Sequence, residues 1–136
     1  MYTGDTPAME RIRLLLVDDE PTIRRGLRMR LELEPDVEVV GEAANGLSAI
    51  DQVAALGPTV VLMDVEMPVM DGISATKAIS QRNPAPAVVV LSIHDDRETI
   101  QRAAEAGASS FVPKADMNDA LITAIRDAAK GRKGDR

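Results

Sequence analysis

Cysteine and tryptophan are absent from this 136-residue chain, and phenylalanine, tyrosine and histidine each occur once. Without cysteine there are no disulfides and no thiolate chemistry. The lone histidine, His94, has no second soft ligand type nearby to make a zinc site. Aromatics make up only 1% of the chain and hydrophobic residues 45%, so a core must be built from Val, Leu, Ile, Ala and Met, an aliphatic α/β composition. No apolar run approaches the roughly 18 residues that a membrane span requires. The start, Met1-Tyr2-Thr3-Gly4-Asp5-Thr6-Pro7, lacks the basic and apolar regions of a secretory signal. A cytoplasmic protein with no membrane partner is therefore expected.

Basic charge is also scarce. The formal charge is -6, and because residues 130–136 carry four basic and one acidic side chain, residues 1–129 carry -9. So acidic a body repels a phosphate backbone, which argues against direct DNA binding by this segment. The length suits one hydrophobic core and is too short for a second. Residues 1–10 are expected as a flexible N-terminal tail, 11–129 as the domain, and 130–136 as a polar tail or linker stub.

Short β-branched runs alternate with longer stretches of helical periodicity, the pattern of βα units on a parallel sheet. Five units are expected, with strands near 12–17, 37–43, 60–64, 87–92 and 109–112. Val60-Val61-Leu62-Met63 and Ala87-Val88-Val89-Val90-Leu91 are continuously apolar, as strands covered on both faces must be, and belong in the middle of the sheet. The first helix opens at Pro21, which suits a first helical turn, buries Ile23, Leu27 and Leu31, and stops before Pro35. The others fall near 46–56, 71–82, 96–106 and 118–129, with Gly57 and Gly107 as stops.

Two of the apolar runs end on acids: Ile12 to Val17 runs into Asp18-Asp19-Glu20, and Val60 to Met63 into Asp64. Adjacent parallel strands would gather these carboxylates at one sheet edge, where open α/β folds place their sites. Carboxylates so gathered repel one another. A hard cation such as Mg2+ (or Mn2+) relieves that repulsion and offsets charge on a phosphoryl group. An ionised Asp64 could then attack a phosphodonor in line without a general base. Lys114, following Ser110-Phe111-Val112-Pro113, would reach the same edge as a point charge for phosphoryl oxygens, and Ser92 would offer a hydroxyl at the end of the fourth strand. Each residue taken singly has an ordinary structural role available: Asp18 and Asp19 as helix caps, Asp64 as a strand end, Lys114 as a solvated loop residue, Phe111 as core, His94 as an exposed turn. Met63, Met67 and Met70 read as packing residues. It is the acids together with the distant lysine that favour chemistry.

The segments Leu15-Leu16-Val17-Asp18-Asp19-Glu20, Leu62-Met63-Asp64-Val65-Glu66-Met67-Pro68-Val69-Met70-Asp71-Gly72, Leu91-Ser92 and Phe111-Val112-Pro113-Lys114 resemble, in order, the motifs of bacterial two-component response-regulator receiver domains. The resemblance covers about residues 11–129. His94-Asp95-Asp96-Arg97 with Ala106-Gly107-Ala108-Ser109 further resembles the LuxR-type (NarL/FixJ-like) branch. The resemblance implies a flavodoxin-like (βα)5 doubly wound parallel sheet of order 2-1-3-4-5. It implies that Asp64 is the phosphoacceptor, fed by a sensor histidine kinase. Metal would be held directly by Asp19 and Asp64, through water by Asp18, and by the backbone carbonyl of Glu66, and the phosphoryl group by Ser92 and Lys114. Phe111 would turn inward as Ser92 moves, switching the face made by helix four, strand five and helix five. Glu66 and His94 would tune dephosphorylation, and DNA would be reached only through an output domain outside this chain. Apart from the resemblance, the apolar stripe Ala120, Leu121, Ala124, Ile125 and Ala128 of helix five would pack on the sheet or, as the alternative, on a second copy in a homodimer. Ala115 stands where many receivers have proline. Three rival readings are a haloacid-dehalogenase-like phosphatase, which Asp64-Val65-Glu66 fits poorly because the second aspartate is missing; a flavin carrier, whose phosphate Asp18-Asp19-Glu20 would repel; and a phosphorylation-independent interaction module.

Overall fold

The computed structural model describes residues 11–134, with side chains described as far as residue 131. Five parallel strands, β1 (Ile12–Val17), β2 (Val37–Ala43), β3 (Val60–Asp64), β4 (Ala87–Ser92) and β5 (Ser110–Pro113), form one sheet in the order β2-β1-β3-β4-β5. Helices α1 (Pro21–Glu32), α2 (Gly46–Leu56), α3 (Gly72–Ser80), α4 (Arg97–Ala106) and α5 (Asp119–Gly134) alternate with them. The expected fold and strand order are both observed.

Alternation within the strands divides the core. Leu14, Leu16, Leu62, Val89 and Leu91 face α1 and α5, where Leu27, Leu31, Leu121 and Ile125 meet them. Leu15, Val17, Val61, Met63, Val88 and Val90 face the other layer, against Ala49, Val53, Ile73, Ile79 and Ala103. Every residue of β3 and β4 is buried, as their unbroken apolar runs require. Each fully buried leucine or isoleucine here stabilises the fold by about 2 kcal/mol relative to exposure.

Local chemistry sets the helix ends. Pro21 opens α1, whose N-cap Glu20 makes no side-chain cap bond. Asn45, Asp71 and Asp96 cap α2, α3 and α4 by accepting from the amides of Ser48, Ser74 and Thr99. Gly57 at φ 57° and Gly107 at φ 109° end α2 and α4 in the left-handed conformation that glycine adopts most readily.

Some boundaries shift, and α3 ends at Ser80 where residue 82 was expected. β5 occupies Ser110–Pro113, one residue later than expected, because Val89 pairs with Ser110 and Ser92 with Pro113. Proline is tolerated there because, among the described residues, β5 is an edge strand with no outer partner. Helix α5 runs on to Gly134 and does not stop at residue 129, so residues 130–134 are helical where a tail was expected. A glycine such as Gly131 costs a helix about 1 kcal/mol, too little to end one anchored by buried Leu121, Ile125, Ala128 and Ala129. The expected N-terminal tail lies outside the described residues. Among the described residues, no helix is long and apolar enough to cross a membrane.

Candidate functional site

Topology brings the acids together. The chain passes from β1 to β2 on one side and returns to β3 on the other, so the carboxyl ends of β1 and β3 flank the point where the winding reverses. Val17 pairs with Met63, which sets Asp18 beside Asp64. Carboxylate oxygens of Asp18, Asp19 and Asp64 all lie within 4.8 Å of one another, with Asp18 and Asp64 buried and Asp19 partly exposed. A magnesium shell with bonds of about 2.1 Å spaces its oxygens about 3 to 4.2 Å apart, so a small contraction separates this cluster from a hard-cation site.

Lys114 arrives from the end of β5, and its Nζ lies 3.0 Å from Asp64 Oδ1 and 3.4 Å from Asp18 Oδ2. Burial alone would lower the lysine pKa, but the two carboxylates outweigh it and the net direction is upward. Asp64 moves the other way from a normal acid. Burial, aided by repulsion from Asp18 and Asp19, pushes its pKa to about 6 although Lys114 pulls it down. One lysine does not neutralise three acids, and a cation would complete the balance.

Ser92 is buried at the end of β4, its Oγ accepting from the His94 amide at 2.9 Å. The chain leaves β3 through a tight turn at Val69, which holds φ 72° while the Met70 amide donates to the Pro68 carbonyl. Glu66, on this loop, and His94, on the loop after β4, are expected separately from sequence. In the fold they form one pair, His94 Nε2 to Glu66 Oε2 at 2.6 Å, bridging two loops that begin at the site. Phe111 is half-buried against the α2–α3–α4 layer and forms part of the wall of a groove of about 960 Å³ beside the free edge of β5. Asp18, Asp19 and Asp64 do not line that groove, so it and the acid cluster are separate places.

Two contributors escape the sequence reading. Gly72 packs so closely under Asp64 that an added Cβ would lie 1.9 Å from the Asp64 carbonyl oxygen, while its amide donates to the Val65 carbonyl at 2.7 Å. The Asp71-Gly72 pair signals a turn, and only the packing shows why the glycine has no alternative. Arg24 lies one turn into α1 and donates to the Asp18 carbonyl at 2.6 Å. Nothing in its local sequence distinguishes it from Arg25 or Arg28.

Residues 14–126 match the response regulator receiver domain family. The chain is 48% identical over 106 residues to the protein-glutamate methylesterase/protein-glutamine glutaminase of Alkalilimnicola ehrlichii, covering 76% of this chain and 27% of that protein. It is 42% identical over 120 residues to the transcriptional regulatory protein LiaR of Bacillus subtilis, covering 88% and 57%. Among solved structures, the signal receiver domain of the response regulator NarL from Mycobacterium tuberculosis aligns with a TM-score of 0.86 at 34% identity, over 90% of this chain and 98% of that one. The chain thus spans 27% to 57% of the length of these two curated relatives.

Proposed function

The chain belongs to the response regulator receiver domain family, and from that premise we propose that Asp64 is its phosphoacceptor, charged by a sensor histidine kinase. The carrying observation is the convergence of Asp18, Asp19, Asp64 and Lys114, from three strand ends, on one buried point. An oxygen of Asp64 attacks the phosphorus of a phosphohistidine; the new O–P bond forms as the P–N bond breaks, and the imidazole leaves. Lys114, already 3.0 Å from Asp64, follows the charge onto the phosphoryl oxygens. The Ser92 hydroxyl accepts from the His94 amide and still has a proton to donate to the phosphoryl group.

Hard oxygen donors and their spacing support Mg2+ (or Mn2+) on Asp18, Asp19 and Asp64, with the backbone carbonyl of Glu66 as a further ligand. When bound, the ion supplies charge neutralisation for the developing transition state. Glu66 and His94 act as a pair at the mouth and regulate the access of water to the aspartyl phosphate. Phe111, lining the groove at β5, couples Ser92 to the α4–β5–α5 face, which controls an output domain or a second receiver.

Resemblance to LiaR and to the NarL receiver supports the LuxR-type branch and a transcriptional output, with DNA reached only through that further domain in the cytoplasm. The similarity to the methylesterase favours, as a second reading, a catalytic output domain. The test is incubation with acetyl phosphate, with and without Mg2+, followed by intact mass. One added phosphoryl group on the wild type with metal and none on Asp64→Asn supports the proposal; metal-independent or Asp64-independent addition refutes it.

A further inference from the structure

The peptide that joins Asp18 to Asp19 is gripped from outside the site. Asp18 directly follows β1, its amide donating to the Ala43 carbonyl at 3.1 Å, and the pairing of β1 with β2 ends there. Its side chain is tethered locally, since Oδ1 accepts the Glu20 amide at 2.9 Å. Its carbonyl oxygen would be left to solvent, but Arg24 Nη1 donates to it at 2.6 Å. Arg24 is in turn aimed by Glu42 on β2, which accepts from its Nε at 2.7 Å. Glu42 is itself fixed: Arg28 holds its second oxygen, and Gln52 Nε2 donates to its backbone carbonyl at 2.6 Å. Arg24 and Glu42 are both mostly shielded from solvent, at 21% and 30% side-chain exposure.

We infer that Arg24, oriented by Glu42, is a positioning residue that sets the relative aim of the Asp18 and Asp19 carboxylates by locking the peptide plane between them. A peptide is planar, so fixing its carbonyl direction fixes the bonds leaving toward both α-carbons. The guanidinium fork suits the task because two of its N–H groups point to two acceptors in a set geometry, which an ammonium cannot reproduce. Partners that orient metal ligands from behind contribute strongly to metal affinity. The inference rests on the metal-assisted reading of the acid cluster.

The sign of the effect separates this role from simple electrostatics. Removing a cation near three carboxylates should, through charge alone, tighten binding of a divalent ion. Removing an orienting clamp should weaken it. The experiment is titration of the intact chain with Mn2+ at fixed ionic strength, followed by the electron paramagnetic resonance of the free ion, for wild type, Arg24→Met, Arg24→Lys and Glu42→Ala. Acetyl-phosphate labelling is measured as a function of Mg2+ alongside.

Arg24→Met is expected to bind Mn2+ about tenfold more weakly. Its Mg2+ concentration for half-maximal labelling rises in parallel, while the rate at saturating Mg2+ stays near wild type because Asp64 and Lys114 are untouched. Arg24→Lys keeps the charge but cannot make both bonds, so it weakens binding in the same direction. Should Arg24→Met fail to fold, Arg24→Lys carries the criterion because it leaves the charge unchanged, whereas Glu42→Ala removes an anion and weakens cation binding through charge as well. Unchanged or tighter Mn2+ binding in the folded variants overturns the inference while leaving the site intact. Failure of the wild type itself to bind Mn2+ overturns the metal-assisted reading and the inference with it.

Discussion

Replacing Asp64 by Asn should make this protein more stable at neutral pH, in a manner that disappears in acid. The ordinary Asp pKa of 3.8 is pushed to about 6 in the fold, chiefly by burial, with Asp18 and Asp19 adding to it. At about 1.4 kcal/mol per pH unit, keeping Asp64 ionised at pH 7.5 costs the folded state about 3 kcal/mol. Asn keeps the shape and removes the charge, and the attraction of Lys114, 3.0 Å away, is already contained in that raised pKa. The gain is then about 3 kcal/mol, or about 10 °C in melting temperature for a domain of this size. The direction with pH follows from the raised value. The stability associated with protonated Asp64 is fully present below pH 3.8 and is lost as pH rises through about 6. Glu34, Asp36 and Glu42, whose pKa values are lowered by arginine partners despite some burial, lose stability as pH falls, but equally in both proteins. Circular dichroism melts of wild type and Asp64→Asn in EDTA at pH 7.5, 6 and 4.5 should therefore show a gap that narrows steadily toward acid. A variant less stable than wild type at pH 7.5, or a gap independent of pH, would refute the electrostatic account of the site.

Other outcomes are equally specific. Labelling by acetyl phosphate should fall as Asp64 takes up a proton, with its midpoint below about 6 at saturating Mg2+ because the cation favours the carboxylate; a pH-rate profile checks this. Gly72→Ala should destabilise the fold by about 2 kcal/mol or more and depress labelling, because its Cβ would sit 1.9 Å from the Asp64 carbonyl; urea titration and labelling rate test both. Glu66→Ala and His94→Ala should each shorten the lifetime of the phosphorylated protein by opening the bridged mouth, measured as decay of the phosphorylated mass after donor removal, and the double variant should add little to either.

Sequence reading succeeds here where one signal has one physical cause. The apolar runs of β3 and β4 can only be strands buried on both faces, and Pro21, Gly57 and Gly107 punctuate helices for backbone reasons alone. The acids were legible because strand order brings all parallel strand ends to one edge. The start of β5 was set by pairing with β4, which no local pattern in Ser109-Ser110-Phe111 encodes. The persistence of α5 past residue 129 reflects packing of earlier residues outweighing a glycine penalty. Neither the Arg24 clamp nor the His94–Glu66 pair could be read, since each joins side chains from different elements whose meeting depends on the completed fold.

Identification of the modified residue tests the central claim most directly. Borohydride reduction of the acetyl-phosphate-treated protein converts an acyl phosphate to an alcohol, and peptide mass spectrometry then locates it. Conversion at Asp64 alone, dependent on Mg2+, is the predicted result; conversion at Asp18 or Asp19, or none at any residue under conditions where metal binds, would contradict the assignment.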